Sequence, residues 1–598
     1  MALRTACTGA MAVCAAWLLC ASAPAFPQST GKVLRVGMPT TPTTLDPARA
    51  ETAQENMVMA GIYDTLYAFD PLARPAAIVP LAATALPEVS ADFRTYIVRV
   101  RPGIRFTPHP AFGGKPRELK AADFAYAIRR VLDPKVRSPN VSYLEGKIEG
   151  LDALARQAKD AGRAIDYDAP VAGLTIVDRY TLRIRLAAPD PLFSYVLTWP
   201  LIAGIAREVV EAEGDAYAQH PVGTGGFVVA SFTPGQHLTL VRNPEFRPLY
   251  WEDLLTPRSR AATSGHPMRG RKLPALDRVE LFSTPESSAE LLALRTGEVD
   301  LIMLQTVELA MQGDRLKPEL AREGLMVVHD ASPLTLMLFF SMRDPVVGGN
   351  SNEKVALRRA IHMAFDDDEW VRVIDGGLSK PRQQLVPPGV EGHLAGYRSP
   401  NRFNPAAANA LLDRFAYKRG PDGYRRNLDG SALTVSALSG ISGASRTRAE
   451  FTKRMLDRIG VRVVFEAAPA SERVRRMNQC SYGMGFMDLG LGAPDGTDLM
   501  GNFVSKAIGG WNISCYSDPL FDAAYEKAVV TPPGPDRTEL FRTMQARLDA
   551  YAPARPIPVG DVLLLKRGHV VGPFGTIGDW LQLMTLGVDD QRPARASR

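Results

Sequence analysis

Runs of alternating apolar and polar residues stand beside amphipathic segments along most of the chain. "VLRVGM" (33–38) predicts a strand, and "YIVRVRPG" (96–103) predicts another that stops at a Pro-Gly turn. "LTIVDRYTLRIRL" (174–186) predicts a hairpin turning at Asp178-Arg179. In "LKAADFAYAIRRVLDP", Phe124, Ile128, Val131 and Leu132 fall on one helical face, which ends at Pro134. "SSAELLALRTGEVDL" has Ser287 and Glu290 at capping-box spacing and Gly297 as a stop, followed by the short strand "VDLIML". "NPAAANALLDRF" offers Asn404 as cap and Pro405 as first helical residue. In "TRAEFTKRMLDRIGVRVVFE", Phe451, Met455, Leu456 and Ile459 form one stripe, Gly460 ends the helix, and a strand begins at once. Two further helices are predicted from "SDPLFDAAYEKAV" and "PDRTELFRTMQARLDAYA". Helix-then-strand units of this kind imply α/β layers.

"HPVGTGGFVVASF" (220–232) has the glycine density of a phosphate loop. A phosphate loop must open a helix, and its best-known form adds Lys and Ser/Thr. Here the glycines precede "FVVASF", the turn "TPGQ" and "HLTLVRN", two strands of a hairpin. The glycines are therefore expected to serve a turn or backbone crossover, with φ > 0 permitted by the missing Cβ.

The N-terminus changes the picture of compartment. Arg4 is the sole charge of the first thirty residues, an apolar run follows from Ala10 to Leu19, and Ala23-Pro24-Ala25 presents small residues for cleavage. This pattern predicts a cleaved secretory signal over residues 1–25. An uncleaved anchor and a lipid-modified Cys20 are the alternatives. The apolar run is short of the ~20 residues a span needs, and Leu19 is large for a lipoprotein signal, so the lipid anchor is not expected. Removal of the signal takes away Cys7, Cys14 and Cys20 and leaves Cys480 and Cys515. In an oxidising compartment this pair can form a disulfide or remain two buried thiols.

Length sets the number of cores. A chain of 598 residues exceeds one core, so two to four domains are expected. Net charge is only +6, and the densest basic patch, "RSRAATSGHPMRGRK" (258–272), lacks the aromatic residues of a nucleic-acid groove. No nucleic-acid partner is expected. Eight histidines occur without an HExxH, and the chain has no G-x-S-x-G. Neither a metal site nor a cofactor is expected, and no catalytic residue is assigned. The single S-x-x-K, Ser351 to Lys354, lacks its partner motifs, and Ser351 is placed to cap a helix.

Taken in order, several segments resemble the family-5 solute-binding proteins of ABC importers, the oligopeptide, dipeptide and nickel type. "TLDPARAETAQENMVMAGIYDTLYAFD" carries Leu-Asp-Pro and Tyr-Asp-x-Leu. It is followed by "EVSADFRTYIVRVRPGIRF", "AADFAYAIRRVLDP", "PVGTGGFVVASFTPGQHLTLVRNPEFR", "LPALDRVEL" with "LALRTGEVDL", "NEKVALRRAIHMAFD", "RQQLVPPGVEGH" and "NISCYSDPLFDAAYEKA". The usual Gly-Thr-Gly-Pro-Tyr stands here as Gly223 to Phe227. Peptide-binding members often carry an amine-binding Asp in a Trp-x-Ala-Asp-Tyr-x-Asp-Pro-like segment. Aligned on Pro494-Asp495 of "GFMDLGLGAPDGTDLM", that position falls on Gly492. Asp488 or Asp495 can take over the role, or both can cap local backbone amides.

The resemblance implies an α/β, periplasmic-binding-protein-like fold, with two hinged lobes plus an extra domain. The signal peptide occupies 1–25. Domain I would be assembled from 26–78, 205–305 and the tail 555–598, domain II from 79–204, and domain III, the second lobe, from 306–554. It further implies a monomeric periplasmic receptor that encloses a solute, first of all a peptide, and delivers it to ABC permease subunits. Nickel chelates, haem, opines and sugars are the other cargo classes, and a hydrolase or chaperone using the same cleft is the alternative function. The cleft wall implied by resemblance includes the loop from Thr41 to Asn56, the strand around Phe340, Arg382-Gln383, and Phe486 to Asp495. By chemistry, Phe486 and Trp511 offer apolar walls, Arg382 a carboxylate or phosphate contact, and Asp488 or Asp495 an amine contact.

Overall fold

The structure is a computed structural model that describes residues 31–304, 306–330, 334–574 and 582–589. The signal peptide predicted over 1–25 lies outside them. The described residues from 32 onward form one compact unit.

Three sheets organise that unit. The first has seven strands in the order Leu325–Asp330, Val562–Arg567, Leu301–Met303, Val33–Met38, Arg278–Ser283, His237–Arg242 and Phe227–Thr233. Val33–Met38 is parallel to both its neighbours, and the remaining pairs are antiparallel. The second has five strands in the order Arg462–Ala467, Thr434–Ser439, Met484–Gly490, Leu334–Phe340 and Ala554–Pro556. The third is a four-stranded antiparallel sheet, Glu88–Val89, Thr95–Arg99, Thr181–Arg185 and Leu174–Ile176. The predicted 174–186 hairpin is part of it.

The chain passes from the first sheet to the second between Asp330 and Leu334, and returns between Pro556 and Val562. Leu325–Asp330, beyond the boundary read from sequence between 305 and 306, pairs along its whole length with Val562–Arg567 in the first sheet. Ala554–Pro556 likewise stays with the second sheet.

Packing explains the lobes. One apolar core joins the first and third sheets, with Leu34, Val98, Ile184, Leu240 and Leu281 in it. The helix Ala121–Leu132 enters this core by the predicted face: Phe124, Ile128 and Val131 have no exposed surface. Each such side chain stabilises the fold by about 1.5–3 kcal/mol. In the second lobe, the strand "LTLMLFF" is apolar at nearly every position because both of its faces are covered. Leu336, Leu338 and Phe340 enter one core, and Met337 and Phe339 enter the other.

The glycine run turns out to serve close approach. A Cβ on Gly223 would lie 2.0 Å from the Ile62 carbonyl oxygen, and one on Gly225 would lie 2.6 Å from the Gly61 oxygen. Neither residue has positive φ, so the expected left-handed backbone is absent there; it occurs at Gly235, in the hairpin turn, with φ 72°. The contact brings the family-like motifs together. The Thr224 hydroxyl donates to Asp64 at 2.8 Å, and Arg247 pairs with the same carboxylate at 2.7 Å. Asp46 of Leu-Asp-Pro receives both terminal nitrogens of Arg130 at 2.8 Å.

Capping follows expectation at Asn404, whose side chain accepts from the Ala407 amide at 3.0 Å. The capping box at Ser287 does not form. Glu286 is the cap residue, Ser287 is already helical, and Glu290 is buried against the sheet rather than reaching back to the helix start. Cys480 and Cys515 are joined by a disulfide.

Candidate functional site

A cavity of about 310 Å³ lies between the two lobes. Its first-lobe wall comes from residues 143–199, around Tyr143, Lys147, Asp190, Tyr195 and Trp199. Its second-lobe wall comes from Gly492 to Asp498 and from Tyr525. Its volume is at the small end of the range for solute sites.

The second-lobe wall is shaped by a short helix, Gly496–Met500. Asp495 is its cap: one carboxylate oxygen accepts from the Thr497 amide at 2.9 Å. Arg537 grips the same carboxylate with two nitrogens, at 2.5 and 2.9 Å, and both side chains are buried. Asp498, one turn further, accepts from the Ala493 amide at 2.8 Å. Among the described residues, no arginine or lysine nitrogen lies within 4 Å of the Asp498 carboxylate. Burial, the largest influence, pushes its carboxyl up to about 6.

Across the cavity, Tyr143 and Trp199 rings pack with centroids 4.4 Å apart. A Cβ on Gly492 would sit 3.2 Å from Asp498 Oδ2 and 3.3 Å from Cε1 of Tyr143. Gly492 thus leaves open the space between the lobes in front of the Asp498 carboxylate. The remaining charges are a Lys147–Asp190 ion pair at 2.7 Å, part-exposed on the first-lobe wall. The cavity therefore joins aromatic surface, one ion pair and one carboxyl lacking a cationic partner.

The family model for bacterial extracellular solute-binding proteins, family 5, matches residues 77–511. The chain belongs to this family. Among curated relatives of this family-5 protein is Di/tripeptide-binding protein 2 of Pseudomonas aeruginosa (strain UCBPP-PA14), 26% identical over 582 residues, covering 93% of this chain and 94% of the relative. The solved structure of HbpA2 from Haemophilus parasuis is similar with a TM-score of 0.70 at 18% identity, covering 93% of this chain and all of that one. DppA from Helicobacter pylori, solved in complex with peptide STSA, is similar with a TM-score of 0.65 at 21% identity, covering 93% and 98%. The fold is the two-lobed periplasmic-binding-protein type, and the general role is that of a solute receptor for ABC import.

Of the residues singled out from sequence, the structure brings Gly492 and Asp495 to the cavity wall, and there Arg537 occupies Asp495. Asn56 lies in the helix Ala53–Ile62 and donates to the Thr52 carbonyl at 3.0 Å. Phe340 is fully buried, with its ring 5.7 Å from His362. Phe486 is half-buried beside Trp370, 5.9 Å between centroids. Asp488 is exposed on the strand Met484–Gly490. Trp511 is 76% exposed. Arg382 donates to the Thr335 hydroxyl at 3.0 Å, away from the cavity. Ser351 occupies the N-cap position of the helix Asn352–Ala364 without a side-chain capping hydrogen bond, and Lys354 is turned away to the Val346 carbonyl at 2.8 Å.

Tyr143, Lys147, Asp190 and Asp498 were not singled out from sequence. Asp498 carries one faint signal, an acidic residue in the first turn of a helix next to the family's amine-binding segment. The other three lie in a stretch where no family-like motif was quoted.

Proposed function

We propose that this protein captures a small, amine-bearing solute of the peptide type between its lobes and passes it unaltered to an ABC permease. The observation that carries this reading is Asp498, a cavity carboxyl held by backbone amides with no cation in contact, Lys147 acting on it only from beyond 4 Å. An ammonium group supplies that cation and forms a charge-assisted hydrogen bond shielded from water. Tyr143 and Trp199 offer ring surface to the rest of the solute, and the Lys147 ammonium offers a contact for a carboxylate once it turns from Asp190.

Closure needs no bond-breaking. The solute favours the closed arrangement by the difference between its affinities for the closed and open forms. The first-lobe and second-lobe walls both touch the solute, so such a difference follows from the cavity's position. The name of the di/tripeptide-binding relative supports the size class. In this reading the 1–25 segment is a cleaved signal, the mature chain works in the periplasm as a monomer, and the cleft performs no catalysis.

Native mass spectrometry of the mature protein, purified without denaturation, tests the reading. A co-purified solute of small mass with a free amine is the expected result. A purified protein that consumes added peptide without any permease contradicts it.

A further inference from the structure

A second, separate site sits where the second lobe meets the crossings between lobes. A small pocket is lined by Arg382, Arg402, Arg555, His362, Gln383 and Asp549, and it shares no lining residue with the cavity above. It abuts both crossings. Arg382 is bound to Thr335, just after the first crossing, and Pro556 ends the strand before the second.

Its charges do not balance. Arg555 is paired with Asp367 at 2.6 Å. Asp549 is the pocket's only carboxylate, and it is occupied by hydroxyl donors, Tyr397 and Ser399. Among the described residues, neither Arg382 nor Arg402 has a carboxylate within 4 Å. Arg382 is half-buried with a single neutral hydroxyl as its acceptor. His362 is 3% exposed and lines the pocket, and its Nε2 has no hydrogen-bond partner. Burial, together with Arg555, Arg358 and Arg359, keeps this imidazole neutral by driving its pKa well down. A neutral imidazole can present Nε2–H as a donor. Gln383 has an equally unpartnered buried amide oxygen, and amide orientation is an assignment that a ligand can reverse.

Arg402 is exposed at the pocket's rim, but the Arg382 guanidinium is partly withdrawn from water with only the more distant Asp561 acting on it, which is costly, and the missing charge is negative. The void of about 20 Å³ holds roughly one water-sized particle. We infer that this pocket is a binding site for a compact monovalent anion of chloride size, held by Arg382, Arg402 and His362 at the base of the second lobe. Bulky oxyanions are too large for it. Because Pro556 lines it and Arg382 is bound to Thr335, an occupied site ties together the two second-sheet strands nearest the first lobe.

The test uses the whole mature chain with no added solute, so it stands apart from the receptor reading. Thermal unfolding is followed in sodium chloride and in sodium gluconate at equal ionic strength, about 0.2 M. The same measurement on an Arg382→Gln, Arg402→Gln double variant gives the reference for general salt effects. The wild type is expected to gain on the order of 1–2 °C in chloride relative to the variant's own difference. Equal chloride dependence in both proteins overturns the inference. Should the variant fail to fold, crystals of the wild type in sodium bromide decide: an anomalous peak between Arg382 and His362 is expected, and bromide found only elsewhere overturns it. A peak there without chloride-specific stabilisation of the wild type means an adventitious ion only, which also rejects the site.

Discussion

Arg537 holds Asp495 in a buried two-nitrogen ion pair, at 2.5 and 2.9 Å, on the wall of the interlobe cavity. Three residues on, Asp498 lies in the same wall without such a partner. Two neighbouring carboxylates thus differ: one is tied up in the wall, and the other faces the cavity.

Substitution should separate them. Asp495→Asn leaves buried Arg537 with only the more distant Glu391, at 3.8 Å, as counter-charge, and is expected to cost about 3 kcal/mol in urea unfolding. Asp498→Asn removes a carboxylate that burial disfavours, so it should leave the solute-free protein as stable or slightly more stable at pH 8. It should weaken binding of an amine-bearing solute by about ten- to a hundredfold in calorimetry, the worth of one charge-assisted hydrogen bond.

The same carboxyl sets a pH dependence. Its pKa is pushed up from the ordinary 3.8 to about 6 by burial. The folded, empty protein keeps this proton where the unfolded chain has released it. The stability that Asp498 contributes is therefore full below about pH 4 and is lost as pH rises through about 6. Solute affinity runs the other way, because an ammonium needs the charged form. It should be greatest near pH 7, fall up to tenfold per unit below about 6, and fall again above about pH 8 as the solute's α-amino group loses its proton. Calorimetry at pH 5.5 in buffers of different ionisation enthalpy should detect proton release on binding, and Asp498→Asn should abolish it.

Glycines separate backbone contact from backbone freedom. Gly223→Ala drives a methyl into the Ile62 carbonyl, 2.0 Å away. It should destabilise by at least the 1–3 kcal/mol typical of overpacking, since backbone on both sides must move. Gly443 lies in the first turn of the helix Gly443–Asp457 with open space around it. Gly443→Ala should be neutral or stabilising by up to about 1 kcal/mol. Denaturant midpoints of the two variants check both.

Much of the fold was legible because burial writes itself as period. The faces of Ala121–Leu132 and of the 174–186 hairpin, and the Asn404 cap, follow from local patterns that packing left unchanged. The failures have local causes. At Ser287 the capping pattern was present, but tertiary packing drew Glu290 inward. The pairing of Leu325–Asp330 with Val562–Arg567 could not be read, because the partner lies more than two hundred residues away and no local signal marks such pairing. The cavity was legible only in part. Asp495 was found by its motif, but its partner Arg537 is forty-two residues distant, so its occupation could not be read. Tyr143 and Asp190 reach the cavity by the meeting of lobes, which leaves no periodic trace.

The disulfide closes a loop between residues thirty-five apart. Cys480→Ser with Cys515→Ser should lower unfolding free energy by about 4 kcal/mol in the chain-entropy model. Adding reductant to the native protein should give a similar loss. Solute affinity should change far less, since neither cysteine lines the cavity.

The most direct measurement compares one dipeptide with its N-acetylated form, titrated calorimetrically into the wild type and into Asp498→Asn. The account predicts that acetylation and the substitution each remove most of the affinity, and that together they remove little more than either alone. Equal binding of the free and acetylated peptides by the wild type would contradict it.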